Sequence, residues 1–254
     1  MNLSPAQIAE AADLLIAARR EGRRLQALPE AVRPQSIAEA HAIQDEVRGR
    51  SRQGIGAIKV NAPKSGGVYR GLLEEAVCYA SPAVIDTAEH DYVGIEAEVA
   101  FRFVDGLPPS AAGYQFEAVA SAAEACAALD IVGTRLEDFM ARSQFERIAD
   151  GLNAGSFVYG PFQAGWRNID YGAIPVSVVI DGVEAFSGKG GHMWGHPFLP
   201  VITYLNSVKD TGLAPGAILT TGSFCGLLPV APGQTIRAVM GPFDPVEVTL
   251  RSAM

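Results

Sequence analysis

Apolar positions recur every three to four residues at the start of the chain and every second residue over much of the remainder. Ile8, Ala11, Ala12, Leu15 and Ile16 form one helical stripe after Ser4-Pro5, where serine can cap a helix and proline is tolerated at its first position. Pro29 and Pro34 interrupt the pattern. Ser36-Ile37-Ala38-Glu39 then matches a capping box, and a second helix is predicted to about Arg50. Beyond Gly54–Gly56 the spacing becomes β-like. Strands are predicted at Ile55–Val60, Val93–Val104, Leu129–Thr134, Ser156–Tyr159, Ala217–Thr221, Thr235–Val239 and Val246–Leu250. Val176–Ile180 and Val183–Phe186 flank Asp181-Gly182, a pair suited to a tight type I′ hairpin. The Ala-rich stretch Glu117–Ala128 and the segment Pro197–Val208 read as helices. A few helices with one mixed, strand-rich body is an α+β arrangement. It divides into an N-terminal helical segment, 1–54, and a β-rich catalytic domain, 55–254, forming one structural unit.

The 254 residues are 48% hydrophobic, enough for a substantial core. A net charge of −8 gives no general attraction to nucleic acid or anionic membranes. The Arg19–Arg24 cluster falls at a helix end, where positive charge suits the dipole, and reads as solvated. Cys78, Cys126 and Cys225 are too few and too scattered for a disulfide framework or a zinc site, which suggests thiols in a reducing cytoplasm. The N-terminal segment lacks the pattern of a secretory signal, and no apolar run approaches the roughly 18 residues of a membrane span.

Most chemical information lies in Gly94-Ile-Glu-Ala-Glu-Val-Ala-Phe-Arg-Phe103. Alternation puts Ile95, Ala97, Val99, Phe101 and Phe103 on one face and Glu96, Glu98 and Arg102 on the other. Two carboxylates with Cβ atoms about 7 Å apart on one strand face are either solvated or, if buried, in need of a cation. Oxygen ligands favour Mg²⁺ or Mn²⁺. Asp130, inside Ala-Leu-Asp-Ile-Val, is a candidate third acid because its neighbours are core-type residues. Lys59 sits within an apolar strand and reads equally as a solvent-reaching lysine. Ser223 follows a β-like run in Thr-Thr-Gly-Ser-Phe and is either a turn residue or an anion contact. Because a histidine ordinarily titrates near neutrality, His192 is open to an acid/base role. Gly195-His-Pro197 breaks the helix that a His192/His196 zinc pair would need. No Ser-His-Asp, P-loop or dinucleotide fingerprint is present.

The order Ile95-Glu-Ala-Glu-Val-Ala-Phe101, then Ala128-Leu-Asp-Ile-Val-Gly-Thr-Arg135, resembles the fumarylacetoacetate hydrolase superfamily. Ala57-Ile-Lys-Val60, Ile148-Ala-Asp-Gly-Leu-Asn-Ala-Gly155, Gly195-His-Pro197 and Thr221-Gly-Ser-Phe224 extend the likeness over nearly the whole chain. Together they point to its branch of 2-oxopent-4-enoate hydratases and 4-oxalocrotonate decarboxylases. The resemblance implies a mixed β-roll core with N-terminal helices and a metal held by Glu96, Glu98 and Asp130, with Mg²⁺ (or Mn²⁺) as cofactor. It also implies an active-site Lys59, a catalytic and substrate-binding Ser223, and substrate contacts from Tyr69 and Asn153. Asp130 departs from the branch's usual Glu. Val68 stands where the branch has an acid before Tyr69, and Asp150-Gly-Leu-Asn153 lacks the usual Asp-Asn adjacency. Arg135 is equally suited to bracing Asp130 and to touching substrate.

The implied activity is that of a metal-dependent lyase in aromatic-compound catabolism. Its reaction would be hydration of a 2-hydroxypenta-2,4-dienoate-type acid through a metal-bound enolate. The same site could decarboxylate a 4-oxalocrotonate-type acid or cleave an acylpyruvate hydrolytically. A second class is a catalytically altered 2-oxo acid-binding homologue or partner subunit. The implied partners are a small 2-oxo acid, further copies in a cytoplasmic homo-oligomer, and a related hydratase or decarboxylase, without nucleic acid or membrane.

Overall fold

The computed structural model describes residues 3–63, 66–87 and 92–252. Helix α1 (Pro5–Glu21) is capped by Ser4, which forms a full capping box with Gln7, and ends at Gly22 in the left-handed region. Ser36 caps α2 (Ile37–Gly49) through the Glu39 amide. Both helices pack with α4 (Gln144–Ala149) around Leu15, Leu28, Ile43 and Ile148. Arg20 and Arg23 meet Glu21 at the surface.

Twelve strands follow, in two mixed sheets. They are β1 (Ile55–Asn61), β2 (Tyr69–Glu74), β3 (Cys78–Ala80), β4 (Ala83–Asp86), β5 (Tyr92–Phe103), β6 (Glu124–Gly133), β7 (Ala154–Tyr159), β8 (Pro175–Ile180), β9 (Val183–Lys189), β10 (Ala217–Ser223), β11 (Thr235–Met240) and β12 (Val246–Arg251). The seven-stranded sheet runs β2-β1-β10-β5-β6-β7-β3 and the five-stranded sheet β4-β12-β11-β8-β9. The β1/β10, β3/β7 and β4/β12 pairs are parallel, the other ladders antiparallel. As alternation required, Ile95, Ala97, Val99, Phe101 and Phe103 are fully buried and face the main core between the sheets. There Phe101, Trp166 and Phe198 meet with centroids 4.9 Å apart. Phe198 lies on α5 (Phe198–Ser207) and, like Phe224, belongs to this core. The hairpin turn is as predicted, with positive φ at both Asp181 and Gly182.

The Ala-rich segment departs from its predicted helix. Only Phe116–Ser121 is helical (α3), and β6 begins at Glu124. Its alanines line both faces of a central strand, and the close fit between β5 and β7 overrides helix propensity. The predicted sequence pattern also missed β2, β3 and β4, which are short. All three cysteines are free thiols. Among the described residues no helix is long and apolar enough to cross a membrane.

Candidate active site

Around Glu96 and Glu98 the second face of β5 is largely withdrawn from solvent. Glu96 lies directly opposite Asp130 of β6, and Glu98 opposite Ser223 of β10. Residues opposed across a ladder project to the same side, so this register gathers three acids that sequence spacing leaves apart. One carboxylate oxygen from each of Glu96, Glu98 and Asp130 lies within 4.8 Å of the others. Lys59 enters from β1 on the far side of β10, where it pairs with Thr220. Its Nζ donates to Asp130 Oδ2 and, at 3.1 Å, to the Leu152 carbonyl. Thr220 Oγ1 donates to Glu98.

The Leu152 carbonyl is held out by three successive left-handed residues, Gly151, Leu152 and Asn153 (φ 70°, 54° and 57°). Such a run is costly for Leu and Asn and is characteristic of functional sites. Gly71 of β2, the ladder partner of Lys59, makes room for it. A Cβ there would lie 2.2 Å from the Gly151 carbonyl oxygen.

Burial dominates the electrostatics. It pushes Glu98 up to about 8, aided by the charges of Asp130 and Glu96. Glu96 and Asp130 are also raised by burial, against the pull of Lys59. Burial alone would lower Lys59, but Asp130, Glu96 and Glu98 together hold it above the ordinary lysine range. If all three carboxylates are ionised, one ammonium leaves negative charge uncompensated in a buried place, and Asp130 Oδ1 receives no hydrogen bond from the protein. Such a donor set fits a hard divalent cation.

Glu96, Glu98 and Lys59 open onto a cleft of about 670 Å³ that is also lined by Tyr69, Asn153 and Ser223. Asp130 lies beneath them, fully buried. The structure thus brings together the seven residues that the resemblance implied for the site. Their hydroxyls and amides are partly engaged. Tyr69 Oη accepts from Gln144 Nε2, and Asn153 Nδ2 donates to Thr134 Oγ1 at 3.3 Å. Ser223 Oγ donates to the Gly226 carbonyl at 3.0 Å and accepts from Cys225 N at 3.2 Å.

Two other readings change. Arg135 neither braces Asp130 nor lines the cleft. It pairs with Asp150 and donates to the carbonyls of Asp150 and Ala154, tying the strained turn to β7. His192 is buried, donates from Nε2 to Thr221 O and accepts from Trp194 N at Nδ1. Burial pushes it down to about 4, and both ring nitrogens are engaged in holding the loop. Val68 packs on the main core, and among the described residues Glu96 and Glu98 are the only carboxylates lining the cleft. Sequence reasoning missed Thr220, the Leu152 carbonyl, Gln144 and Arg147. Only Thr220 carried a signal, as a hydroxyl inside an apolar strand.

No family model matches the chain. It is 26% identical over 172 residues to 4-oxalocrotonate decarboxylase of Pseudomonas sp. (strain CF600), a match covering 65% of this chain and 63% of that protein. It is 26% identical over 173 residues to 2-hydroxyhexa-2,4-dienoate hydratase of Comamonas testosteroni, covering 67% and 65%. The chain therefore spans just under two thirds of the length of these relatives. Its fold matches that of 4-oxalocrotonate decarboxylase from Pseudomonas putida G7, solved with magnesium and adipate. That likeness has a TM-score of 0.85 at 20% identity over 99% of both chains. In sequence the chain is thus similar to a 4-oxalocrotonate decarboxylase and a 2-hydroxydienoate hydratase, and it shares the fold of such a decarboxylase.

Proposed function

We propose that the chain is a divalent-metal-dependent lyase acting on a small 2-oxo or 2-hydroxydienoic acid, with hydration as its reaction. The observation that carries this reading is the Glu96–Glu98–Asp130 cluster, half-buried at Glu96 and buried at the other two, facing a cleft beside Lys59. Those three carboxylates would hold Mg²⁺ or Mn²⁺, as magnesium accompanies the structurally similar decarboxylase. The ion would supply Lewis acidity toward the carboxylate and carbonyl oxygens of a 2-oxo acid. Lys59 keeps its proton because of its acidic neighbours, which suits an electrostatic anchor for substrate better than a proton donor. Tyr69, whose oxygen already accepts from Gln144, retains its own proton for a substrate oxygen. Asn153 and Ser223 line the same cleft as polar contacts.

A specific observation favours decarboxylation as the second reading. Hydration needs a base to activate water, and no carboxylate outside the metal cluster lines the cleft among the described residues. Decarboxylation has no such requirement. A cytoplasmic homo-oligomer, a mixed β-roll and a division near residue 54 belong to the same reading. α1 and α2 contribute to its first unit, and their packing on α4 supports the wall of the cleft.

Glu96→Ala tests the core of the reading. Calorimetric titration with Mg²⁺ should lose its binding isotherm, and turnover of a 2-hydroxydienoate should fall by at least two orders of magnitude. Full metal binding and activity in that variant would sink the proposal.

A further inference from the structure

A second cavity, of about 280 Å³, opens where the C-terminal halves of α1 and α2 face β2 and the Asp150–Gly151 backbone. Five arginines and two acids line it, in a chain whose net charge is −8. Positive residues near helix C-termini are ordinary, because the dipole favours them. Three of the five are also paired: Arg20 with Glu21, Arg50 with Asp13 and Glu46, and Arg135 with Asp150. Arg19 and Arg48 differ. Arg19 has no side-chain hydrogen bond or ion pair among the described residues. The like charge of Arg135, then partial withdrawal from water, lowers it to about 10 against the pull of Asp150 and Glu74. Arg48 donates from Nη1 to the Ser51 carbonyl at 3.3 Å, while its Nε is shut off from water without an acceptor. An enclosed donor without a partner is costly. Much of the remaining wall is apolar, from Leu15, Ile16, Val47, Leu72 and Ala149. A small hydrated anion gains nothing from such a wall. A carboxylate with an apolar body uses both parts, since guanidinium planes match its oxygens and the wall covers the rest. A cavity of about 150 Å³ already admits benzene, so a ring-sized body has room.

We infer that this cavity is a second binding site, taking a small organic carboxylate with an apolar body, its charge held by Arg19 and Arg48. The site is independent of the proposed function. No residue lines both hollows: Gly151 belongs to the cavity, Leu152 and Asn153 to the cleft of the carboxylate cluster.

Benzoate and benzamide, which share a ring and differ in charge, test it, with inorganic phosphate as a third probe. Binding is measured calorimetrically on the metal-free protein in the presence of EDTA, so that no ion in the cleft contributes. The wild-type protein is expected to favour benzoate over benzamide about tenfold or more, as charge-assisted hydrogen bonds provide, and to bind phosphate more weakly than benzoate. In Arg19→Gln and Arg48→Gln the benzoate-to-benzamide ratio should fall toward one, and Arg48→Lys should keep part of it. Absent benzoate binding, equal affinity for benzamide or phosphate, or a preference that survives both R19Q and R48Q would overturn the inference. Light scattering on the same variants should show an unchanged mass. A changed mass would mean that a neighbouring copy covers the cavity, and would overturn the inference as well. If one variant does not fold, the other and the wild-type ratio decide. The proposed function stands in every case.

Discussion

Gly71 offers the sharpest test of how the fold positions Lys59. Replacing it with alanine adds one methyl group, opposite Lys59 in the β1–β2 ladder and toward the strained turn. The new Cβ would lie 2.2 Å from the Gly151 carbonyl oxygen and 2.8 Å from its carbon, where ordinary contact begins near 3.4 Å. Either the turn or the edge strand β2 must therefore retreat by about 1 Å. The Leu152 carbonyl sits 3.1 Å from Lys59 Nζ, so a retreat of that size takes it out of hydrogen-bond range. Overpacking of this kind costs about 1–3 kcal/mol in stability. Misplacement of an active-site group by about 1 Å costs on the order of a hundredfold in rate. Urea unfolding and steady-state kinetics on a 2-hydroxydienoate measure the two effects separately. If G71A keeps both the stability and the activity of the parent, the turn does not position Lys59 and the reasoning is wrong.

Acid sensitivity follows from two histidines, His192 buried and His41 half-buried. His41 and His192 are both pushed down to about 4, chiefly by burial, while the unfolded chain protonates near 6.5. Below pH 6.5 the unfolded chain then binds more protons, so stability is constant above that pH and is lost as pH falls toward 4. On the order of 2 kcal/mol should disappear between pH 7 and pH 5 at His192, and less at the half-buried His41, where solvent screens the effect. Urea midpoints should show this loss, and His41→Asn and His192→Asn should each flatten it. Arg135→Met would strand the buried Asp150 carboxylate and should cost about 3–5 kcal/mol. Adding Asp150→Asn should recover part of that loss in a double-mutant cycle, and strict additivity would refute the coupling.

The β5 alternation was legible because burial on one face of a long strand writes itself into every second residue. Glu96 and Glu98 stood out for that reason. Asp130 and Lys59 were named through the resemblance, but their placement was not legible from spacing, because ladder register brings Asp130 opposite Glu96 and Lys59 beside Thr220. The Lys59–Asp130 contact joins residues 71 positions apart, which no local pattern records. Arg135 looked like a neighbour of Asp130 in sequence. Five residues along an extended chain carry it away to Asp150 instead. The Ala-rich start of β6 misled for the opposite reason. Alanine favours helix when the chain is considered alone, yet small side chains are what a strand enclosed on both faces can accept.

The ammonium of Lys59 has one more consequence. Many metal sites have no internal counter-charge, so the polypeptide around them cannot assemble until the ion arrives. Here a covalently attached cation already sits against the deepest acid of the cluster. Assembly of the chain and loading of the ion thus become separate events. On the proposed function, the polypeptide would fold before an ion arrives and would exchange it without unravelling.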